Sequence, residues 1–114
     1  MEFFKRLKLR VIWSSAGIAD AWRAEHSFRS WVWANLVSAA LAVWLLEGAE
    51  IALILSLGVL VLAMELANTA LERAVDLVSL ERSELARQAK DAGSAAVMVT
   101  AIAAGIAWVV CLVT

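Results

Sequence analysis

The sequence lacks proline and tyrosine altogether, and it has only one cysteine and one histidine among 114 residues. A lone cysteine excludes an internal disulfide and a cysteine-rich metal site, and a lone histidine excludes a histidine-rich one. Basic and acidic residues nearly balance, with a formal net charge of -1. The overall charge therefore gives no reason to expect nucleic acid as a partner.

Familiar phosphate-binding motifs are also missing. The five glycines form no Gly-x-x-x-x-Gly-Lys-Ser/Thr loop, no protein-kinase glycine loop and no dinucleotide fingerprint. Any nucleotide site in this chain must therefore be built in another way.

Hydrophobic residues make up 63% of the chain, and the mean hydropathy is +0.81. This composition is typical of a membrane protein. Apolar runs occupy Trp31–Leu46, Ile51–Met64 and Ala92–Thr114. The first would rise only about 24 Å as a helix, so we extend it toward Phe28 to cross a core of about 30 Å. We predict one domain over residues 1–114, with spans at about 29–46, 51–72 and 92–113.

Basic residues are confined to one side of this topology. Three spans place the N-terminus and the second loop together, and all ten lysines and arginines lie on that side. The positive-inside rule makes this side cytoplasmic and places the C-terminus on the far side. Four tryptophans lie near the span ends, where indole rings commonly rest at the interface: Trp31, Trp33, Trp44 and Trp108.

The N-terminal segment predicts an amphipathic helix over about residues 4–25. Apolar residues recur there at helical spacing, and basic residues crowd the first ten positions. This pattern is typical of a helix lying on an anionic leaflet. A merely solubilising basic flank is the alternative.

An acidic face follows the second apolar run. At about 100° per residue, Glu65, Asn68, Glu72 and Asp76 share one side of the helix. Glu65 would lie about 10 Å inside the cytoplasmic boundary of the hydrocarbon. An ionisable group at that depth is costly unless neutral, paired or hydrated, and it indicates function.

A structural interpretation of these residues stays open. Glu65 could bond Asn35 or Ser38 on a neighbouring helix, and an amide such as Asn68 commonly bridges membrane helices. Glu72 could belong to a solvated helix end.

Two further groups carry charges at the cytoplasmic side. Asp91 is a candidate N-cap for the third span, while Lys90 could either be structural or face an anion. Glu25 and Glu72 could supply oxygen ligands for magnesium, which uses few protein carboxylates together with phosphate oxygens.

Three sequence elements together resemble one known family. They are ELANTALERAVD at Glu65–Asp76, AKDAGSAAV at Ala89–Val97 and EHSFR at Glu25–Arg29. The chain is similar to the small bacterial integral-membrane diacylglycerol kinases, a family that includes undecaprenol kinases. The AGSAAV run favours the diacylglycerol branch, whereas AVDLV is closer to the undecaprenol branch.

This resemblance implies a homotrimer of three-span protomers in the bacterial inner membrane, with active sites between subunits, and phosphoryl transfer from ATP to a lipid hydroxyl with Mg²⁺. The implied roles are general base for Glu65, catalytic neighbour for Asn68, metal ligands for Glu25 and Glu72, and ATP contact for Lys90. Asp76 and Asp91 match motif acids with structural or nucleotide-positioning roles, and Arg6 corresponds to a basic residue near the lipid or phosphate site.

The sequence departs from the family pattern at two places. Leu9 stands nearest to an N-terminal lysine associated with phosphate contact in one branch, and the loop over residues 80–83 lacks that branch's Tyr-His pair. The resemblance therefore does not identify the residues that contact adenine.

Two alternatives from other classes remain at the level of sequence. A small multidrug-type transporter can have a similar length and one intramembrane glutamate, but it needs four spans. A non-enzymatic membrane subunit explains the hydrophobicity but gives Glu65, Glu72 and Lys90 no shared purpose.

Overall fold

Four α-helices make up the whole chain. The computed structural model describes all 114 residues, with α1 at Glu2–Ala24, α2 at His26–Leu45, α3 at Ala49–Val78 and α4 at Glu84–Val113. The last three are long and apolar enough to cross a membrane. The predicted all-α membrane fold is confirmed, and the chain has three candidate spans instead of the four that a small multidrug-type transporter needs.

The central element of the bundle is α3. Helices α2 and α4 both pack on it, and their own backbones do not approach each other closely. At the Glu47-Glu50 end the three helices share a buried apolar cluster, which contains Ala42, Leu46, Ile54 and Ala107. The Trp108 indole Nε1 also donates to Ser38 Oγ at 2.9 Å, which connects α4 to α2.

Two tight turns position α2. At its start Glu25 is extended, with φ -110° and ψ 106°. Arg29 Nη1 donates to the carbonyl oxygens of Trp22 at 2.5 Å and Arg23 at 3.1 Å. The side chain thereby satisfies carbonyls at the end of α1 that have no helical partner. At the other end of α2, Gly48 has φ +51°, a conformation that glycine adopts without steric cost.

The start of α4 corrects one prediction. The helix begins at Glu84, well before Ala92, and its N-cap is Ser83, whose Oγ accepts the Ala86 N–H at 3.0 Å. Asp91 therefore lies inside the helix and is not its N-cap. Arg87 donates to Glu84 and, at 2.7 Å, to Asp91; such pairs one turn apart stabilise a polar helical segment.

Few side chains are buried within one chain. Only 11 of 114 residues are buried, and large apolar side chains on all three candidate spans are exposed. Helix α1 meets the bundle near its end, where Ala21 is 1% exposed, whereas residues 1–18 are exposed throughout. Such faces are suited to lipid or to another copy of the chain rather than to water.

Candidate active site

The polar centre of α3 is formed by Glu65 and Thr69. They are the buried polar residues of the chain, with exposed fractions of 5% and 7%. They lie one turn apart on the side of α3 that also buries Ile54, Gly58 and Val61. An acidic group is therefore buried inside the bundle itself, while the predicted depth of Glu65 in the hydrocarbon stays a prediction.

Glu65 is held from α2. Ser27 Oγ donates to Glu65 Oε2 at 3.2 Å across 38 positions of sequence. Neither Asn35 nor Ser38, the partners named in the structural interpretation, bonds Glu65. Asn35 donates to a carbonyl of its own helix, and Ser38 accepts from Trp108.

A cleft opens beside Glu65 and Asn68. Its volume is about 410 Å³, and its wall is mostly apolar. The other lining residues come from α2 and α4: Trp31, Ser94, Val97, Met98, Ala101 and Ile102. The arrangement places a buried carboxylate and an amide at the edge of a space with apolar walls, as expected of a site for an apolar molecule with a polar end.

Asn68 connects this cleft to Glu72. Its Nδ2 donates to Glu72 Oε1 at 3.1 Å, one turn further along α3. Its Oδ1 is buried and has no hydrogen-bond partner. That oxygen faces Gly93 of α4, where a Cβ atom would lie 2.2 Å away. The close approach of α3 and α4 therefore depends on a glycine.

The two predicted metal-ligand carboxylates come from different parts of the fold, Glu72 from α3 and Glu25 from the extended residue between α1 and α2. Glu72 is half-buried and accepts from Asn68, while Glu25 Oε1 lies 3.8 Å from Arg73 Nη2. No group of three or more ligand-type side chains gathers around one point. Hard carboxylate oxygens fit Mg²⁺, which needs only one or two of them when phosphate and water complete the shell.

A second cleft, of about 500 Å³, lies where α3 ends and α4 begins. Two of its lining residues form an ion pair, with Lys90 Nζ 2.8 Å from Asp76 Oδ1, and both side chains are about half exposed to solvent. Asp91 also lines the cleft and pairs with Arg87. Within this chain, the charge of Lys90 is thus balanced by the Asp76 carboxylate, while its side chain stays accessible to solvent.

The first turns of α4 carry exposed ion pairs of Arg87 with Glu84 and with Asp91, here called the charged ladder. The hydrogen bond from Arg87 lowers the pKa of the Glu84 carboxyl below its usual value of 4.5. The same contact with Glu84 raises the pKa of Arg87. Both groups stay charged at neutral pH, so the ladder remains formed.

Arg6 lies apart from the other predicted residues. It is exposed on α1 beside Leu9, Arg10 and Trp13. Because α1 makes no close backbone contact with α4, one chain does not bring Arg6 to Lys90.

Ser27 is the contact that sequence reasoning missed. Serine near a helix start usually bonds local backbone, and nothing in the spacing of Ser27 relates it to Glu65. Only the packing of α2 on α3 reveals the pair.

Comparison with known proteins adds to this geometry. The sequence profile described as prokaryotic diacylglycerol kinase matches residues 12–112. A diacylglycerol kinase of Escherichia coli is 36% identical over 110 residues, covering 96% of this chain and 90% of the relative.

Two further relatives show similar coverage. A diacylglycerol kinase of Pseudomonas aeruginosa is 40% identical over 105 residues, which are 91% of this chain and 85% of that protein. A diacylglycerol kinase of Haemophilus influenzae is 38% identical over 97 residues, covering 84% and 82%.

Proposed function

Because this chain belongs to the prokaryotic diacylglycerol kinase family and is a lipid kinase, we propose that it transfers the γ-phosphate of ATP to the hydroxyl of diacylglycerol, giving phosphatidic acid. One observation carries the proposal for the site: Glu65 is 5% exposed and lines the mostly apolar cleft between α3 and α4. A lipid alcohol needs such a space for its chains and a base beside its hydroxyl.

Glu65 acts as the general base in this proposal. Its carboxylate takes the proton as the O–H bond of diacylglycerol breaks. The lipid oxygen then bonds to the γ-phosphorus while the bond from that phosphorus to the β,γ-bridging oxygen breaks, and ADP leaves with those electrons. Positioning and charge stabilisation supply most of the catalysis in phosphoryl transfer.

Asn68 assists from the same helix. Its amide donates to Glu72 and so holds that carboxylate beside the cleft. The Oδ1 atom is buried against Gly93 of α4, and this contact fixes the orientation of the amide. We therefore assign Asn68 to positioning Glu72.

Glu25 and Glu72 are the proposed magnesium ligands. Mg²⁺ held by these carboxylates and by phosphate oxygens would offset the negative charge of the triphosphate. Arg73 Nη2 lies 3.8 Å from Glu25 Oε1 in a partly exposed ion pair, which is weak enough for Glu25 to exchange it for a metal ion. The protein thus presents carboxylates next to the α3 segment that carries the base.

The ATP phosphates would lie toward the second cleft. Lys90 exchanges Asp76 for a phosphate oxygen, and this exchange is inexpensive because the Lys90–Asp76 pair is solvent-exposed. Asp76 and Asp91 orient the two basic side chains of this cleft, Lys90 and Arg87. Arg6 reaches phosphate or lipid only from α1 of another copy or after α1 moves.

The assembly we propose is a homotrimer in the bacterial inner membrane. The N-terminus lies in the cytoplasm and the C-terminus on the far side, because all basic residues fall on one side of three spans. Exposed apolar faces on α2, α3 and α4 support contact with lipid and with other copies.

The deciding experiment is transfer of labelled γ-phosphate from ATP to lipid by purified protein in mixed micelles with magnesium. Diacylglycerol and undecaprenol are offered separately. We expect diacylglycerol to be phosphorylated faster. Transfer to undecaprenol alone would overturn the choice of substrate, and transfer to neither lipid would overturn the proposed reaction.

A further inference from the structure

Glu65 makes one hydrogen bond to a side chain of another helix. Ser27 Oγ donates to Glu65 Oε2 at 3.2 Å. The second carboxylate oxygen, Oε1, accepts no hydrogen bond within the chain, although Glu65 lines the apolar cleft. The two oxygens of this carboxylate therefore have different surroundings.

We propose that Ser27 is a positioning residue for the general base, holding Oε2 so that Oε1 faces the lipid hydroxyl. The inference rests on the proposed role of Glu65 and adds a residue to it. Ser27 touches neither lipid nor ATP in this arrangement.

The conformational freedom of glutamate explains why such a contact matters. The last torsion of its side chain is broad and nearly two-fold, so an unrestrained carboxylate turns readily. A base must lie about 2.6–3.2 Å from the proton it accepts, and a displacement of about 1 Å can cost two orders of magnitude in rate. One hydrogen bond to Oε2 fixes the torsion that aims Oε1.

The location of Ser27 suits this role. It lies in the first turn of α2, which starts at His26, and the partial positive charge of that helix end favours a nearby carboxylate. Its hydroxyl donates across to α3, whereas Ser30, one turn further along α2, bonds its own helix at the His26 carbonyl. Ser30 therefore offers a matched control.

The test compares Ser27→Ala, Ser27→Thr and Ser27→Val. Threonine keeps the hydroxyl, and valine has the same branched shape without it. The extra methyl group has room because Ser27 is exposed within the chain. We expect Ala and Val to lower kcat about ten- to a hundredfold, the effect of losing a hydrogen bond to a charged group. KM for ATP should stay unchanged, and Thr should restore kcat to within about threefold.

Ser30→Ala should keep kcat within about twofold, with the thermal midpoint and the size of the assembly measured for every variant. If Ser27→Val has the same kcat as Ser27→Thr, the proposal is overturned, because only the hydroxyl group distinguishes the two side chains. Equal losses of kcat in Ser27→Ala and Ser30→Ala would also overturn the proposal.

A double-mutant cycle separates this inference from the assignment of the base. In a Glu65→Asp background the shortened side chain no longer spans Ser27 and the cleft, so Ser27→Ala should cost less than about threefold. Fully additive losses would overturn the positioning role. If Glu65→Gln stays active, the base itself is misassigned; if it is inactive while Ser27→Val is normal, only the role of Ser27 fails.

Discussion

The amide oxygen of Asn68 lies so close to Gly93 that a Cβ atom on that glycine would stand 2.2 Å from it. The Gly93→Ala variant must therefore displace Asn68 or separate α3 from α4. We expect the free energy of unfolding to fall by about 1–3 kcal/mol from overpacking. Kinase activity should fall further than this loss of stability explains, because Asn68 also holds Glu72. Thermal unfolding and phosphate transfer measure the two effects.

Gly105→Ala is the matched control on the same helix. Nothing lies within 4 Å of a Cβ atom at Gly105, and alanine favours a helix by up to about 1 kcal/mol over glycine. The thermal midpoint of Gly105→Ala should equal or exceed that of the unsubstituted protein. Normal activity and stability in Gly93→Ala would contradict the close contact.

Removing the charge of Glu65 tests the base. Glu65→Gln keeps an oxygen for the Ser27 hydroxyl but cannot accept the substrate proton, so we expect kcat to fall by at least about a hundredfold. The thermal midpoint should change little. Glu47→Gln, in the exposed turn before α3, makes the same chemical change and should stay active. A Glu65→Gln enzyme with normal turnover would require another base.

Lys90→Met tests the phosphate contact. The Lys90–Asp76 pair is about half exposed, so its loss should change stability by less than about 1 kcal/mol. We expect KM for ATP to rise about tenfold, because a charge-assisted hydrogen bond is lost. Lys5→Met, on the exposed start of α1, should leave KM unchanged. An unaltered KM in Lys90→Met would leave Lys90 with only its structural pairing.

Glu72→Gln tests the metal site without removing the acceptor for Asn68 Nδ2. We expect the Mg²⁺ concentration for half-maximal rate to rise several-fold and kcat to fall, since a hard carboxylate ligand becomes a neutral amide. A magnesium titration at saturating ATP measures both changes. The same magnesium dependence as the unsubstituted protein would exclude Glu72 as a ligand.

Acid should loosen the first turn of α4. Because the pKa of Glu84 is lowered by the hydrogen bond from Arg87, this contact stabilises the folded turn above the usual pKa of 4.5 and is lost as the pH falls through the lowered value. Amide exchange at residues 86–88, corrected for its intrinsic pH dependence, should show less protection at pH of about 3 than at about 6. Glu84→Gln should remove this difference, and its persistence would exclude Glu84 as the cause.

Much of the fold follows from the sequence because lipid imposes strong rules. A segment that crosses hydrocarbon must satisfy its backbone groups internally, which favours helices, so three apolar runs predicted three candidate spans even though the first two had to be extended beyond their uncharged residues. The acidic face of α3 was predictable as well, since helical periodicity alone puts Glu65, Asn68 and Glu72 on one side.

The beginning of α4 was not predicted, for a physical reason. The polar segment before Ala92 is stabilised as a helix by the pairs of Arg87 with Glu84 and with Asp91. The hydropathy pattern of a sequence does not reveal such pairs. The spacing of these charges at three and four residues was the available signal.

Contacts between helices were the hardest part to predict. Asn35, Ser38 and Ser27 all lie on α2, and the choice of Ser27 as the partner of Glu65 depends on the rotation and depth of α2 against α3. Hydrophobic periodicity does not determine either quantity. The catalytic, metal-binding and nucleotide-contact roles of all the predicted site residues stay predictions.

The bonds from Arg29 to the end of α1 also bear on the depth of α2 in a membrane. We expect a guanidinium that satisfies two backbone carbonyls to lie at the level of the headgroups, where water and phosphates can solvate its remaining N–H groups. The bend at Glu25 would then be held at one height along the membrane normal. The hydroxyl of Ser27, two residues before Arg29, would take its distance from the aqueous edge from that bend instead of from the length of the span.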